Sequence, residues 1–328
     1  MDKYIPPYEI TNKMLDYVSK IMELIGNLNN YYNLEKMPIM RRNNKIKSIH
    51  SSLVIEGNSL TLEQVKDVIN GKKVIGKEKD IIEVKNAYEA YSNIQNFKPY
   101  TLNDLLSAQG IITKSLNIDS GTFRKNSVGV FDGDKCIFMA PPAENVPMLI
   151  ENLFDWMKNN KNEIHPLILS SIYHYEFVFI HPYSDGNGRT ARLWQNVILS
   201  NYKELFEYMP IESRIKKYQT KYYDSIAICN NNGNSTVFVE FMLKMIYEEL
   251  EELNSTNIQK SNNRNIVDLL SIMDYDIPLS ANEIMNKLEI KSKETLRKNY
   301  IDSALEEGLI ACTVPDKPTS KNQMYYKI

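Results

Sequence analysis

One twelve-residue segment, 181–192, constrains this chain more than any other stretch. It reads His-Pro-Tyr-Ser-Asp-Gly-Asn-Gly-Arg-Thr-Ala-Arg. An apolar, aromatic run precedes it at 166–180 and helical spacing resumes at 193–199, so the segment is predicted to be a loop that leads into a helix. Gly186, Asn187 and Gly188 let successive main-chain N–H groups converge at a helix start, where the helix dipole also favours negative charge. The segment therefore predicts an anion site that suits a polyphosphate.

The charged side chains of the same segment point to phosphate chemistry. Arg189 and Arg192 are three residues apart, so on a helix they share a face and present two guanidinium groups to the outer phosphates of a nucleotide. Asp185 supplies a hard carboxylate oxygen for Mg2+ at the mouth of the site. His181 has an ordinary pKa near neutrality and suits a general base. A base beside a metal-bound triphosphate predicts transfer to an incoming hydroxyl.

The segment resembles the signature of the Fic family, His-x-Phe-x-(Asp/Glu)-Gly-Asn-Gly-Arg-x-x-Arg. Eight specified positions at fixed spacing make this a specific match. The one departure is Tyr183, which keeps an aromatic anchor where the family has Phe. A glycine-rich helix cap alone would require neither the His, the Asp nor both Arg residues. Relatives that transfer other groups commonly depart from Gly-Asn-Gly-Arg, and this chain keeps it.

The resemblance implies a mainly α fold, in which a Fic helical-bundle core carries a β-hairpin flap. It implies a protein adenylyltransferase, which moves AMP from ATP, bound with Mg2+, to a Tyr, Thr or Ser hydroxyl of a target protein. By the same resemblance the roles are base for His181, metal ligand for Asp185, phosphate cradle for Gly186, Asn187 and Gly188, β-phosphate contact for Arg189, and γ-phosphate contact for Arg192.

A second stretch, 51–60, predicts a helix that ends in a directed carboxylate. Ser52 and Glu56 are four apart and share a helix face, and Gly57 with Asn58 supplies a helix stop. The stretch resembles the Fic inhibitory motif (Ser/Thr)-x-x-x-Glu-(Gly/Asn), here over residues 52–58. The resemblance implies that Glu56 pairs with Arg192 and that the protein is autoinhibited.

Residues 127–139 depart from the helical pattern. Two β-rich runs flank Asp132-Gly133, which is a strong hairpin signal. The segment is similar to the Fic flap, which docks an extended segment of the target by main-chain hydrogen bonds. A purely structural hairpin is the alternative. The predicted docking residues are Val128, Gly129, Val130, Phe131, Ile137 and Phe138.

Two polar residues after the signature are candidates for nucleotide recognition. Tyr223 and Asn230 are seven apart, two helical turns, and reach one side of a helix. In Fic proteins a Tyr and an Asn so spaced help to form the adenine pocket. Tyr223 packing in the core is the alternative.

The C-terminal part is predicted to be a separate small domain. We divide the chain into an N-terminal helical region (1–95), the Fic core (96–253), a polar linker (254–264) and a domain at 265–328. Helices at 265–273, 280–288 and 292–307, followed by strands at 309–314 and 323–328, resemble an α+β winged helix. Its charge is near neutral, so we rank DNA binding below a protein contact or homo-oligomer contact.

Composition limits the remaining classes. The 328 residues are 43% apolar with a formal net charge of -2, which gives no bulk attraction to nucleic acid or membrane. No apolar run has membrane-spanning length and no signal peptide is recognised, so a cytoplasmic location is expected. The three cysteines favour reduced thiols. Self-modification is expected, and two alternatives stay open: a nucleotide-sensing DNA-binding regulator, and an enzyme that also removes AMP with Glu56 positioning water.

Overall fold

The computed structural model describes residues 4–31, 38–132, 135–258, 264–273, 278–315, 317, 320 and 323–327. It is mostly helical, as predicted. The chain forms two compact units, one of residues 1–23 and 43–249 and the other of residues 24–42 and 250–328. The first unit therefore includes most of the predicted N-terminal region together with the predicted core. Within the described residues, no helix combines the length and apolarity needed to cross a membrane.

The helices of the chain up to residue 258 follow the apolar periodicity of the sequence. The first five are α1 (Asn12–Tyr31), α2 (Pro38–Ile55), α3 (Leu62–Ile69), α4 (Glu78–Ser92) and α5 (Leu102–Ile112). The next six are α6 (Val146–Asn160), α7 (Pro166–Ile180), α8 (Asn187–Tyr202), α9 (Ile211–Lys217), α10 (Gln219–Asn232) and α11 (Thr236–Ile258). Short 3-10 segments lie at Ile94–Asn96, Ala143–Asn145 and Glu204–Tyr208.

Helices α7 and α8 form the buried centre of the first unit. α7 is apolar around nearly its whole circumference, which is typical of a helix enclosed by others. Pro166 opens it, and the His165 side chain accepts a hydrogen bond from the Leu167 amide (3.3 Å). In α8, Trp194 is fully buried and its indole N–H donates to the Pro99 carbonyl (3.1 Å). These two helices hold the 181–186 loop between them.

The predicted hairpin is present. Strand β1 (Gly129–Asp132) pairs antiparallel with β2 (Lys135–Met139), and the register shifts between Val130 and Phe131. The Ala140 amide extends the pairing by donating to the Val128 carbonyl (3.1 Å). Gly133 of the predicted turn lies outside the described residues.

The second unit combines helices with a small sheet. Its C-terminal helices are α12 (Arg264–Ile272), α13 (Ala281–Lys287), α14 (Lys293–Leu296) and α15 (Asp302–Glu306), the last two joined by a π-helical turn at Arg297–Ile301. Strands β3 (Leu279–Ser280), β4 (Ile310–Cys312) and β5 (Met324–Lys327) form an antiparallel sheet in the order β3-β5-β4. The core includes Ile266, Leu269, Ile284, Leu296 and Ile310.

Four features of this unit bear on the sequence prediction. A capping box of Ser280 and Glu283 begins the second predicted helix, and Gly308 (φ 64°) ends the third. The third predicted helix contains the π-helical turn, and strand β3 was not predicted because two residues before a helix cap carry no periodicity. The winged-helix assignment stays a prediction.

The predicted linker at 254–264 requires a correction. Residues 254–258 continue α11 as helix, and residues 259–263 lie outside the described part of the chain. Asn, Ser and Thr have weak helix propensity, but extending an existing helix costs far less than nucleating one. The polar composition therefore did not mark the helix end.

Candidate active site

His181 lies directly after the last residue of α7, in a left-handed backbone conformation (φ 52°, ψ 59°). Its amide donates to the Phe177 carbonyl (3.0 Å), and its Nδ1 lies 3.3 Å from the Val178 carbonyl. With the proton on Nδ1, the Nε2 lone pair is available as a base. Burial lowers the pKa of His181, against the opposing effect of the Val178 carbonyl, and the charge of Arg124 lowers the pKa further. The imidazole is therefore favoured in its neutral, proton-accepting form at neutral pH.

The loop that follows is closed by the side chain of Asn187. The side-chain oxygen of Asn187 accepts a hydrogen bond from the Tyr183 main-chain N–H (2.9 Å), and its side-chain NH2 donates to the Tyr183 carbonyl (2.8 Å). Gly186 adopts a left-handed conformation (φ 80°) and its carbonyl accepts from the Thr190 amide (2.9 Å). These hydrogen bonds fix the backbone of the loop at the point where α8 begins. The Asn187 side chain contributes by holding the loop, and its main chain belongs to the predicted cradle.

Arg189 is held between two carboxylates. Its Nη1 donates to Glu83 Oε1 and its Nη2 to Asp185 Oδ1, each at 3.0 Å. Glu83 comes from α4, and its second oxygen accepts from the Asn58 side-chain amide (2.8 Å). Arg189, Glu83 and Asn58 are all buried. Charged groups withdrawn from water in this way require close partners, which this network provides.

Arg192 is the more deeply buried arginine, with 1% of its side chain exposed. Its Nε donates to Ser52 Oγ (3.0 Å), and its Nη2 donates to the Ser52 carbonyl (2.9 Å) and to Glu56 Oε1 (2.8 Å). Its Nη1 is buried without a hydrogen-bond partner among the described residues. A buried, unsatisfied guanidinium N–H costs free energy, and an anion that enters the site would satisfy it.

Glu56 is positioned by the way α2 ends. The Asn58 amide donates to the Leu53 carbonyl (3.1 Å) and the Gly57 amide to the Val54 carbonyl (3.0 Å). With Gly57 left-handed (φ 87°), this is the Schellman arrangement that terminates helices. It confirms the predicted helix stop and directs Glu56 away from the helix axis.

The Glu56 carboxylate lies against the first turn of α8. A Cβ at Gly188 would overlap Glu56 Oε1 and would lie 3.2 Å from Arg192 Nη1. A side chain at residue 188 would therefore force the Glu56 carboxylate to move. The carboxylate therefore lies where the N-terminus of a helix commonly binds anions.

Asp185 lies at the mouth of the site with 40% of its side chain exposed. Burial raises the pKa of this carboxyl, but the Arg189 charge and the Gly186 amide outweigh burial, so the pKa lies below its usual value. Within the described residues no cluster of three acidic, His or Cys side chains could hold a metal. A single charged carboxylate fits a Mg2+ ion whose remaining ligands are phosphate oxygens and water.

Comparison with known proteins agrees with this geometry. Residues 99–199 match the Fic/DOC family, and residues 264–327 match the family described as filamentation induced by cAMP protein Fic-like, C-terminal domain. The crystal structure of a Fic family protein from Desulfovibrio desulfuricans G20 is 39% identical, covers 99% of this chain and 98% of its own, and superposes with a TM-score of 0.75. The chain belongs to the Fic family.

Curated relatives of this Fic protein include enzymes from insects. A protein adenylyltransferase Fic from Aedes aegypti is 30% identical over 208 residues, and one from Drosophila willistoni is 29% identical over 203 residues. These matches cover 60% and 59% of this chain, and 39% and 38% of the relatives. The chain therefore matches about two fifths of the length of these relatives.

The departure of this Fic signature at Tyr183 is accommodated by packing. The ring is fully buried between Phe123 and Phe177, with centroid distances of 5.7 and 6.1 Å. The Tyr183 hydroxyl is buried without a hydrogen-bond partner in the described residues. Phenylalanine would fill the same space without this cost, so Tyr183 contributes as an aromatic anchor.

The two predicted adenine residues of the Fic fold have separate partners. The Tyr223 side chain lies beside the end of α2, where its hydroxyl donates to the Ile55 carbonyl (3.4 Å), and 46% of the residue is exposed. The Asn230 side-chain oxygen accepts from the Tyr175 hydroxyl (3.0 Å). Tyr223 is therefore not a core residue, and its ring lies next to Glu56. Adenine binding by this pair stays a prediction.

Among the described residues, an aromatic contact connects the flap to α7 and an arginine connects it to the 181–186 loop. Phe138 packs on Phe179 of α7 with ring centroids 5.4 Å apart. Arg124, just before the hairpin, donates to main-chain carbonyls on both sides of it and to the His181 carbonyl. Val128 and Gly129 are partly buried. The side chains of Val130, Phe131 and Ile137 lie outside the described part of the structure.

Two functional residues were missed by sequence reasoning. Glu83 looks like any acidic residue on an amphipathic helix, although its burial follows from its position beside Val84 and Ala87 on α4. Arg124 carries no signal beyond its place before the flap. The buried His174 lies between Gln195 (2.6 Å) and the Tyr222 hydroxyl (3.0 Å), and burial lowers its pKa to about 3.

Proposed function

We propose that this Fic protein is a protein adenylyltransferase, which transfers AMP from ATP to a hydroxyl side chain of a protein substrate. One observation carries the proposal: the 181–192 segment joins a neutral imidazole, the N-terminus of helix α8 and two buried guanidinium groups in one site. The curated relatives from Drosophila willistoni and Aedes aegypti are named protein adenylyltransferase Fic, which supports the same activity at the level of the family.

The transfer requires that the target hydroxyl lose its proton as it attacks. His181 Nε2 accepts the proton, and the hydroxyl oxygen forms a bond to the α-phosphorus while the bond from that phosphorus to the bridging oxygen of pyrophosphate breaks. The proton then leaves the imidazolium for solvent, and pyrophosphate carries away the bonding electron pair. No further oxidant or reductant is needed.

The remaining residues act by positioning and charge. The amides at Gly186–Gly188 and the guanidinium groups of Arg189 and Arg192 stabilise the phosphate oxygens as negative charge shifts toward pyrophosphate. Asp185 would hold Mg2+, which neutralises phosphate charge when bound. Tyr223 and Asn230 would contact the adenine.

We further propose that Glu56 inhibits this activity. Its carboxylate takes the Nη2 donor of Arg192 and lies on Gly188, so the γ-phosphate has neither its cation nor room at the helix start. The target segment would pair with a free edge of the flap as an extended strand, which supplies main-chain hydrogen bonds with little demand on sequence.

Intact-mass spectrometry tests both proposals. The wild type, Glu56→Gly, and Glu56→Gly with His181→Ala are each incubated with ATP and Mg2+. An added AMP mass in Glu56→Gly alone is the expected result, because that protein has both the base and a released Arg192. Equal AMP addition in the His181→Ala protein would refute the assignment of the base. Equal addition in the wild type would refute inhibition by Glu56.

A further inference from the structure

Arg124 is a buried cation whose described partners are carbonyl oxygens of the main chain. The residue is 3% exposed. Its Nε donates to the His181 carbonyl (2.7 Å), Nη1 to the Asn126 carbonyl (2.9 Å), and Nη2 to the carbonyls of Pro141 (2.6 Å) and Ile180 (3.3 Å). A charge withdrawn from water is retained only where its hydrogen bonds are well satisfied. The carbonyls that satisfy Arg124 lie between two and 57 residues away along the chain.

These carbonyls belong to two functional elements. Asn126 lies just before β1 and Pro141 just after β2, so Nη1 and Nη2 hold both ends of the flap. Ile180 and His181 form the junction of α7 with the catalytic loop. The Arg124 main-chain amide adds a third contact to that loop by donating to the Pro182 carbonyl (2.9 Å).

The backbone of His181 needs such support. His181 adopts the left-handed region (φ 52°), which is unfavourable for a residue other than glycine, and such conformations persist only where surrounding contacts enforce them. Arg124 donates hydrogen bonds to the carbonyls of Ile180 and His181, which lie on either side of the His181 Cα. These bonds restrict rotation about φ and ψ of His181. These two dihedral angles set the direction of the His181 Cα–Cβ bond, from which the imidazole extends.

We propose that Arg124 is a positioning residue that joins the target-docking flap to the catalytic base. It thereby fixes the position of a docked hydroxyl relative to the His181 Nε2. This inference rests on the proposed transferase function. Arg124 is buried and acts through the main chain of both elements. Lysine cannot replace Arg124, because a single ammonium group cannot reach the separate carbonyls that Nε, Nη1 and Nη2 of the planar guanidinium group contact.

The kinetic test compares Arg124→Lys with a matched control in the Glu56→Gly protein. The control is Arg214→Lys, since Arg214 is similarly buried but donates to Glu249 (2.7 Å) on α11. Misplacing a reacting group by about 1 Å can lower a rate about 100-fold. We expect kcat of AMP transfer to fall on the order of 10- to 100-fold in Arg124→Lys, with ATP affinity by calorimetry within about twofold of the parent.

Hydrogen–deuterium exchange tests the coupling without relying on transfer. In Arg124→Lys, peptides over 126–141 and over 178–187 should both exchange faster than in the parent, and in Arg214→Lys both should be unchanged. Exchange that rises in one of these regions alone, or in neither, would overturn the proposal. An equal loss of kcat and ATP affinity would also overturn it, because that pattern means collapse of the nucleotide site.

The two proposals fail separately. If the Glu56→Gly parent transfers no AMP to any protein present, itself included, the transferase proposal loses its support, and the exchange data alone decide whether Arg124 joins the flap to the loop. If the parent is active and Arg124→Lys matches it in kcat, the positioning role is refuted while the transferase proposal stands.

Discussion

Replacing Glu56 by Gln should lower the stability of the free protein and raise its affinity for ATP. The substitution keeps the shape of the side chain at Gly188 and removes the charge that pairs with Arg192 Nη2 (2.8 Å). Both effects have one cause: Arg192 loses its charged partner in the free protein and is then available to the triphosphate. A fall in stability together with a rise in ATP affinity distinguishes this explanation from a general disruption of the fold.

The magnitude follows from the burial of the pair. A hydrogen bond to a charged group contributes about 1.5–3 kcal/mol. The Glu56 side chain is 34% exposed, and solvent screens part of the interaction, so we expect a loss of about 1–2 kcal/mol in the free energy of unfolding. A free-energy change of about 1.4 kcal/mol corresponds to a tenfold change in affinity. Because the triphosphate no longer has to displace the carboxylate, the same energy raises ATP affinity about 5- to 30-fold.

Thermal unfolding without nucleotide and calorimetric titration with ATP and Mg2+ measure the two quantities. Glu240→Gln is the control, because Glu240 pairs with Lys13 (2.8 Å) outside the site and its loss should lower stability without changing ATP affinity. Unchanged ATP affinity in Glu56→Gln, with a normal control, would refute the competition between carboxylate and phosphate.

Three further changes have defined outcomes. Gly188→Ala should destabilise the wild type, since its Cβ overlaps Glu56, and should cost less in a Glu56→Gly background; equal costs in both backgrounds by chemical denaturation would contradict the close approach. Glu83→Gln should lower stability by about 1–3 kcal/mol, because Arg189 loses a buried charged partner, and should reduce AMP transfer; full activity would exclude a role in placing Arg189. Burial raises the pKa of Glu176 from 4.5 to about 7, so the folded protein holds a proton that the unfolded chain releases, and stability should fall by about 3 kcal/mol as pH rises from about 4.5 to 7. Glu176→Gln should remove this pH dependence in denaturant titrations, and an unchanged slope would contradict the buried carboxyl.

Local structure was predictable because its causes lie within a few residues. The stop at Gly57 needs only a left-handed residue after an amphipathic helix, and the capping box at Ser280 and Glu283 closes over three residues. The hairpin at 129–139 follows from β-rich runs around a turn. At residues 254–258 the polar composition predicted a linker, but helix α11 continues through them because extending an existing helix costs little free energy.

The site was predictable in part, and the reason is spacing. His181, Asp185, Arg189 and Arg192 are fixed relative to one another by one loop and one helix, so their order in sequence dictates their order in space. The pairing of Glu56 with Arg192 was expected from family resemblance rather than from spacing, and the structure contains it.

The sequence by itself determined most helices, their caps, the hairpin and the loop that we predict to bind an anion, because each depends on backbone conformations and periodicities encoded nearby. Tertiary structure alone decided which distant side chains complete that site. Glu83 meets Arg189 from 106 residues away, and Arg124 reaches His181 across 57. Such contacts depend on how whole helices pack, and helix packing is set by the summed burial of many side chains, which no local pattern specifies.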